Sequence, residues 1–178
     1  VALKETSYYC KMSIPLLERE KDSVALCFVN QILAGVYEQS GNYGLAMKTN
    51  LRALRIAQKI NNDMLIANTY NDLGSIINEK RNYSTAKSYY LKALYYRKKS
   101  KDTYGMQSSY TNLGILYKNL RKYDSAFYFQ KQSLQLARVL KSTYAIAFVY
   151  NDLGGIHLAM RNLDSAEYYF QESVKLRK

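Results

Sequence analysis

Apolar and small residues in this chain recur at helical spacing, and that pattern itself recurs. Tyr70, Leu73, Gly74 and Ile77 fall at i, i+3, i+4 and i+7, one face of a helix. Beyond the polar turn Lys80–Asn82, the residues Tyr83, Ala86, Tyr90, Ala93 and Leu94 mark the face of a second helix. The pair is then written again. YNDLG stands at Tyr70–Gly74 and at Tyr150–Gly154, with YTNLG at Tyr110–Gly114 between them, a step of 40 residues. At the same step run Leu33, Leu73, Leu113 and Leu153, then Ala34, Gly74, Gly114 and Gly154, then Ala46, Ala86, Ala126 and Ala166. Small residues in two of these columns predict close approach of the paired helix backbones. Ser23, Asp63, Thr103 and Thr143 are in register as N-caps of the first helix of each pair. Asn42, Asn82 and Asn162 suit a cap or a left-handed turn position between the helices.

The expectation is an all-α solenoid of antiparallel hairpins with nine helical segments. It reads as one array: a partial unit at 1–20, then units at 21–60, 61–100, 101–140 and 141–178. Thr6–Glu20 is the second helix of a unit lacking its first, with Pro15 predicting a kink or a helix start. The array ends inside a second helix without a polar cap. A piece of a longer protein is therefore expected, as is self-association through the uncapped ends.

Tyr110-x2-Leu113-Gly114-x2-Tyr117, followed in second helices by Ala86-x3-Tyr90 or Ala166-x3-Phe170, resembles the tetratricopeptide repeat pattern. The departures are Tyr for the family's Trp, Asn30 in that column of the first unit, and Asn50 and Gln130 in place of an aromatic. The period is 40 rather than the family's 34. Six extra residues shared by two helices lengthen each by about 4.5 Å. Such long-helix variants are similar to the repeats of kinesin light chains and of bacterial peptide-sensing regulators. HEAT or armadillo repeats also fit a period near 40, but not the Leu-Gly and Ala columns.

Composition narrows the function. One Pro and eight Gly leave little for linkers or a turn-rich β fold. The apolar runs fall short of the ~20 residues of a membrane span, and no leader is visible, so a soluble segment of cytoplasm or periplasm is expected. Cys10 and Cys27 form no C-x-x-C pair and read as packed thiols. His157, the single histidine, shares a column with Ile77 and Tyr117 and reads as a packed rim residue. No metal-ligand spacing, P-loop or dinucleotide motif occurs, so neither catalysis nor a cofactor is expected. Asn82–Ser84 matches a glycosylation acceptor, a short motif only. Many of the 19 tyrosines are doublets such as Tyr89-Tyr90, Tyr95-Tyr96 and Tyr168-Tyr169. Neighbours on a helix point about 100° apart, so one enters the core while the other covers its edge.

The net charge is +12. The first helices carry only Lys80 and Lys118 against Glu38, Asp63, Asp72, Glu79 and Asp152, a balance of −3, which leaves +15 elsewhere. By the resemblance, first helices line the concave groove and second helices form the outer surface. The predicted partner is therefore a protein or peptide held in the groove. Nucleic acid or an anionic surface on the basic outer face, as at Tyr95–Lys101, is the alternative. The face away from the Tyr-Leu-Gly stripe reads Asn68, Asp72, Ser75, Glu79 in the second unit and Ser108, Asn112, Ile115, Asn119 in the third. In the fourth it reads Phe148, Asp152, Gly155, Ala159, and in the first Phe28, Ile32, Gly35, Gln39. Of these, Asn68, Asp72, Ser75, Glu79, Ser108, Asn112, Asn119, Phe148 and Asp152 are the candidate groove residues. The resemblance implies that Asn112, in the Asn-Leu-Gly position, bonds the backbone of a bound peptide, with Asp72 and Asp152 in the same column.

Overall fold

Every connection in the chain is one short motif. A helix ends, one residue takes a left-handed conformation, the next takes the N-cap position, and a new helix starts. The left-handed residues are Lys21, Gly41, Asn61, Arg81, Lys101, Arg121, Lys141 and Arg161, with φ between 51° and 73°. They close each helix with backbone bonds such as Gly41 N–H to Glu38 O at 2.9 Å and Asn42 N–H to Tyr37 O at 2.8 Å. Connections this short force consecutive helices to run antiparallel.

The computed structural model describes residues 2–177. Among them lie nine helices: α1 Ala2–Glu20, α2 Ser23–Gln39, α3 Tyr43–Lys59, α4 Asp63–Glu79, α5 Tyr83–Lys99, α6 Thr103–Asn119, α7 Tyr123–Val139, α8 Thr143–Ala159 and α9 Leu163–Lys175. No strand occurs among the described residues. The hairpins are α2–α3, α4–α5, α6–α7 and α8–α9, at the expected step of 40. The chain forms two compact units, Val1–Ser100 and Lys101–Lys178.

Three sequence expectations need correction. The N-caps of the first helices stand one residue earlier than Ser23, Asp63, Thr103 and Thr143. They are Asp22, Asn62, Asp102 and Ser142, whose side chains accept from the N–H of Ala25, Leu65, Gly105 and Ala145. Two cap-capable residues follow each other at these sites. The left-handed residue just before fixes the first of them as the cap. Second, α1 does not start at Pro15; helix runs through it from Ala2 to Glu20. Third, the glycine column faces a side chain rather than a backbone. A Cβ on Gly74 would lie 2.6 Å from the Tyr90 ring, on Gly114 2.7 Å from the Gln130 amide, and on Gly154 2.8 Å from the Phe170 ring. The first hairpin has Ala34 in this column and the smaller Asn50 opposite, both buried. The asparagines Asn42 and Asn82 serve as caps, accepting from Leu45 and Thr85, and not as left-handed residues.

The core follows the columns. In the first unit Cys27, Leu54, Leu65, Ile66, Tyr70 and Leu73 form one cluster. In the second, Ala126, Val149, Leu153 and Ile156 form another, flanked by Phe127 and Tyr169. Each fully buried Leu or Ile is worth about 1.5–3 kcal/mol. The tyrosine doublets divide as expected: Tyr90 is buried under Gly74 while Tyr89 stacks on Tyr70, and Tyr96 stacks on Tyr70 while Tyr95 is exposed. His157 lies against Tyr169, with ring centroids 5.4 Å apart, and against Phe127 at 4.9 Å.

Candidate functional site

The predicted groove residues divide between the two units. In the first unit, α4 presents Asn68, Asp72, Ser75 and Glu79, all but Glu79 partly buried. Arg97, buried on α5, donates from Nη2 to Asn68 Oδ1 at 3.4 Å. The Ser75 hydroxyl donates to Glu38 Oε1 at 2.8 Å. Burial pushes the Asp72 carboxyl up to about 7; Glu38 adds to this, while a hydrogen bond from Asn71 and the charge of Arg97 oppose it. Burial likewise raises the Tyr90 phenol, with Glu38, Glu79 and Asp72 contributing. Glu38, Asp72 and Glu79 thus surround one stretch of α4 with carboxylates.

In the second unit, a cavity of about 220 Å³ brings together Ser108 and Asn112 of α6 with Phe148 of α8. Its walls include Tyr104 and Tyr144, 69% and 76% exposed. Gln107 and Thr111 also line it, held in a buried network in which Gln107 Nε2 donates to Ser133 Oγ at 2.8 Å. Sequence reasoning missed Tyr104 and Tyr144, although a signal existed. They stand in one column, each second in its helix, where Val24 and Met64 occupy the other units.

Asn119 lies elsewhere. It lines a separate cavity of about 470 Å³ with Lys118, Arg121, Tyr123, Gly155, Ala159 and Arg161. Asp152 is buried, and its Oδ2 accepts from Gln130 Nε2 at 3.0 Å. Burial pushes its carboxyl up to about 6, against the lowering effects of Lys118 and the Gln130 amide. Gln130, in the column where α5 and α9 carry Tyr90 and Phe170, is the residue that reaches it.

Among the described residues no group of three or more His, Cys, Asp or Glu is placed to hold a metal ion. No helix among them is long and apolar enough to cross a membrane.

Stacked helical hairpins at a fixed step, with small residues beneath a partner side chain, define a helical-repeat protein. Tetratricopeptide repeat models match residues 67–100 and 105–178, together more than half of the chain, and the chain belongs to that family. No curated protein is significantly similar to it in sequence. Its fold is similar to that of the signal transduction ATPase with numerous domains from Pyrococcus horikoshii, a protein with a tetratricopeptide repeat sensor. Identity is 19% and the TM-score 0.78, over 94% of this chain and 26% of that one. It is also similar to a Rap protein complexed with competence and sporulation factor, at 13% identity and a TM-score of 0.78, over 98% of this chain and 59% of that one. A kinesin-light-chain-like protein of Podosopora anserina with nearly identical TPR-like repeats matches at 11% identity and a TM-score of 0.72, over 98% and 87%. At these identities the likeness is one of fold. The chain has the architecture of a protein–protein interaction module.

Proposed function

We propose that the second unit binds a partner peptide along the groove face of α6 and α8, anchored at the cavity that Ser108, Asn112 and Phe148 line. The observation that carries this reading is the meeting of Ser108, Asn112 and Phe148 around one hollow walled by two exposed tyrosines. An asparagine amide both donates and accepts, as an extended peptide backbone requires. Phe148, Tyr104 and Tyr144 offer apolar area to a neighbouring side chain, with their edges wet. On the first unit, Glu38 and Glu79 favour a basic group on a ligand of that unit, and Asp72 adds to them only as it ionises above about pH 7. That the similar Rap protein is complexed with competence and sporulation factor supports a bound partner for a chain of this fold.

Two cations of the basic run Arg97–Lys99 are engaged within the protein. In the run Arg97–Lys99, Arg97 is buried and reaches Asn68. Lys99 pairs with Asp63 at 2.9 Å and lies over the Tyr96 ring. The test is to select peptides by display against the immobilised chain and measure their affinity for variants. Asn112→Ala combined with Phe148→Ala should weaken binding on the order of tenfold or more, the usual cost of removing central contacts. Lys98→Glu with Lys99→Glu should change it less than about twofold at 0.15 M salt, where exposed charges are screened. Peptides that ignore the first pair and are lost with the second would place the site on the outer face.

A further inference from the structure

Three of the four hairpins are held by an aromatic pair in two fixed columns. Tyr70 meets Tyr89, Tyr110 meets Phe129 and Tyr150 meets Tyr169, with ring centroids 6.0, 6.2 and 5.8 Å apart. In the first hairpin the same columns hold Asn30 and Thr49. Where the rings are missing, a cavity of about 570 Å³ lies between α1, α2 and α3. Asn30 and Leu33 are buried at its base, Ile14, Tyr37 and Ile56 line its sides, and Lys48, Arg52 and Arg55 stand around it. Its volume lies within the ~300–1,000 Å³ usual for small-ligand sites.

The next hairpin shows what such a space accepts. There the Tyr70 ring stacks on Tyr89 and Tyr96, and the Lys92 ammonium sits 5.3 Å from its centroid. Arg52 occupies the Lys92 column and Ile56 the Tyr96 column. The first hairpin therefore keeps the cation and an apolar wall but lacks the ring between them. Of the three cations, Arg52 is paired with Glu18 of α1. Arg55 donates to the Leu51 carbonyl at 3.3 Å, and neither Arg55 nor Lys48 forms an ion pair among the described residues.

We infer that this cavity is a binding site for a small monocyclic aromatic acid, its ring taking the place of the absent tyrosine and its carboxylate facing Lys48, Arg52 and Arg55. The ring gains apolar contact with Leu33 and Ile56 and a cation–π contact from Arg52. The carboxylate gains charge-assisted hydrogen bonds. The Asn30 amide nitrogen donates to the Leu26 carbonyl at 2.7 Å, and its oxygen is the group that accepts from a ring hydroxyl. The columns lining this cavity are not those of the groove face, so the inference stands apart from peptide binding.

The probe is 4-hydroxyphenylacetate, titrated into the 15N-labelled chain. Saturable shifts are expected at Asn30, Leu33, Thr49 and Ile56, with Ser108, Asn112 and Phe148 unmoved. Uncharged p-cresol should bind at the same residues but on the order of tenfold more weakly, the equivalent of one charge-assisted bond. Asn30→Tyr restores the ring of the other hairpins; it should abolish binding and raise the melting temperature. Thr49→Phe, which fills the space from the α3 side, serves the same purpose if Asn30→Tyr does not fold. Absence of saturable shifts at millimolar probe, shifts centred on the groove residues, or unchanged binding in a folded ring-restoring variant would each overturn the inference.

Discussion

Asp72 and Asp152 occupy one column of the repeat, and the same side chain behaves differently in the two units. Asp152 is sealed by helix packing and satisfied by Gln130, whereas Asp72 lies partly open among Glu38, Asn71 and Arg97. In the unfolded chain the Asp72 carboxyl ionises near its ordinary 3.8, and in the folded chain near 7. Between these values the folded state holds the additional proton. The contribution of this group is therefore full below about pH 4 and is lost as the pH rises to 7. Asp72→Asn should raise stability at pH 8 by on the order of 2 kcal/mol and should flatten the difference between pH 4 and 7. Thermal unfolding of both proteins across that range measures this. The wild type supplies the baseline for the general effect of the +12 charge. A variant whose profile stays parallel to the wild type would show that Asp72 titrates normally.

At the scale of the hairpin, the glycine and the side chain sixteen residues later are one device. Gly74 is small because Tyr90 lies on it, and Ala34 is tolerated because its counterpart is Asn50. Gly74→Ala should cost about 2–3 kcal/mol, since the Tyr90 ring is buried and has little room to withdraw. In a Tyr90→Asn background the same substitution should cost less than about 1 kcal/mol, because contacting sites couple. Chemical denaturation of the four proteins in this cycle measures the coupling. Costs that simply add would mean that the two positions do not share the space.

At the scale of the whole chain, each unit carries its own core, centred on Leu65 and Leu73 in one and on Val149 and Leu153 in the other. Repeats interact with their neighbours, so damage should stay local. Gly114→Leu would drive a branched side chain into Gln130 and should destabilise α6–α9 by about 3 kcal/mol. Amide exchange should then accelerate at Leu113, Leu116 and Leu153 while Leu65, Leu73 and Ile76 keep most of their protection. Equal acceleration throughout would show that the chain unfolds as one cooperative block.

The step of 40, the hairpin order and the approximate helix ends were readable from the sequence, because they follow from contacts within a helix and from turns of two or three residues. Ser108, Asn112 and Phe148 were readable as neighbours for a related reason: register places their columns side by side on consecutive first helices. The burial of Asp152 was not readable, since it depends on Gln130 reaching across from another helix. Which of two adjacent polar residues caps a helix depends on the left-handed residue before it. The cavity beside Asn30 and Thr49 exists only where α1, α2 and α3 meet, although both substitutions stand plainly in their columns. Periodicity records which way each side chain points along its own helix; what it meets there, and whether the space is filled, depends on side chains from other helices and is decided only when the helices pack.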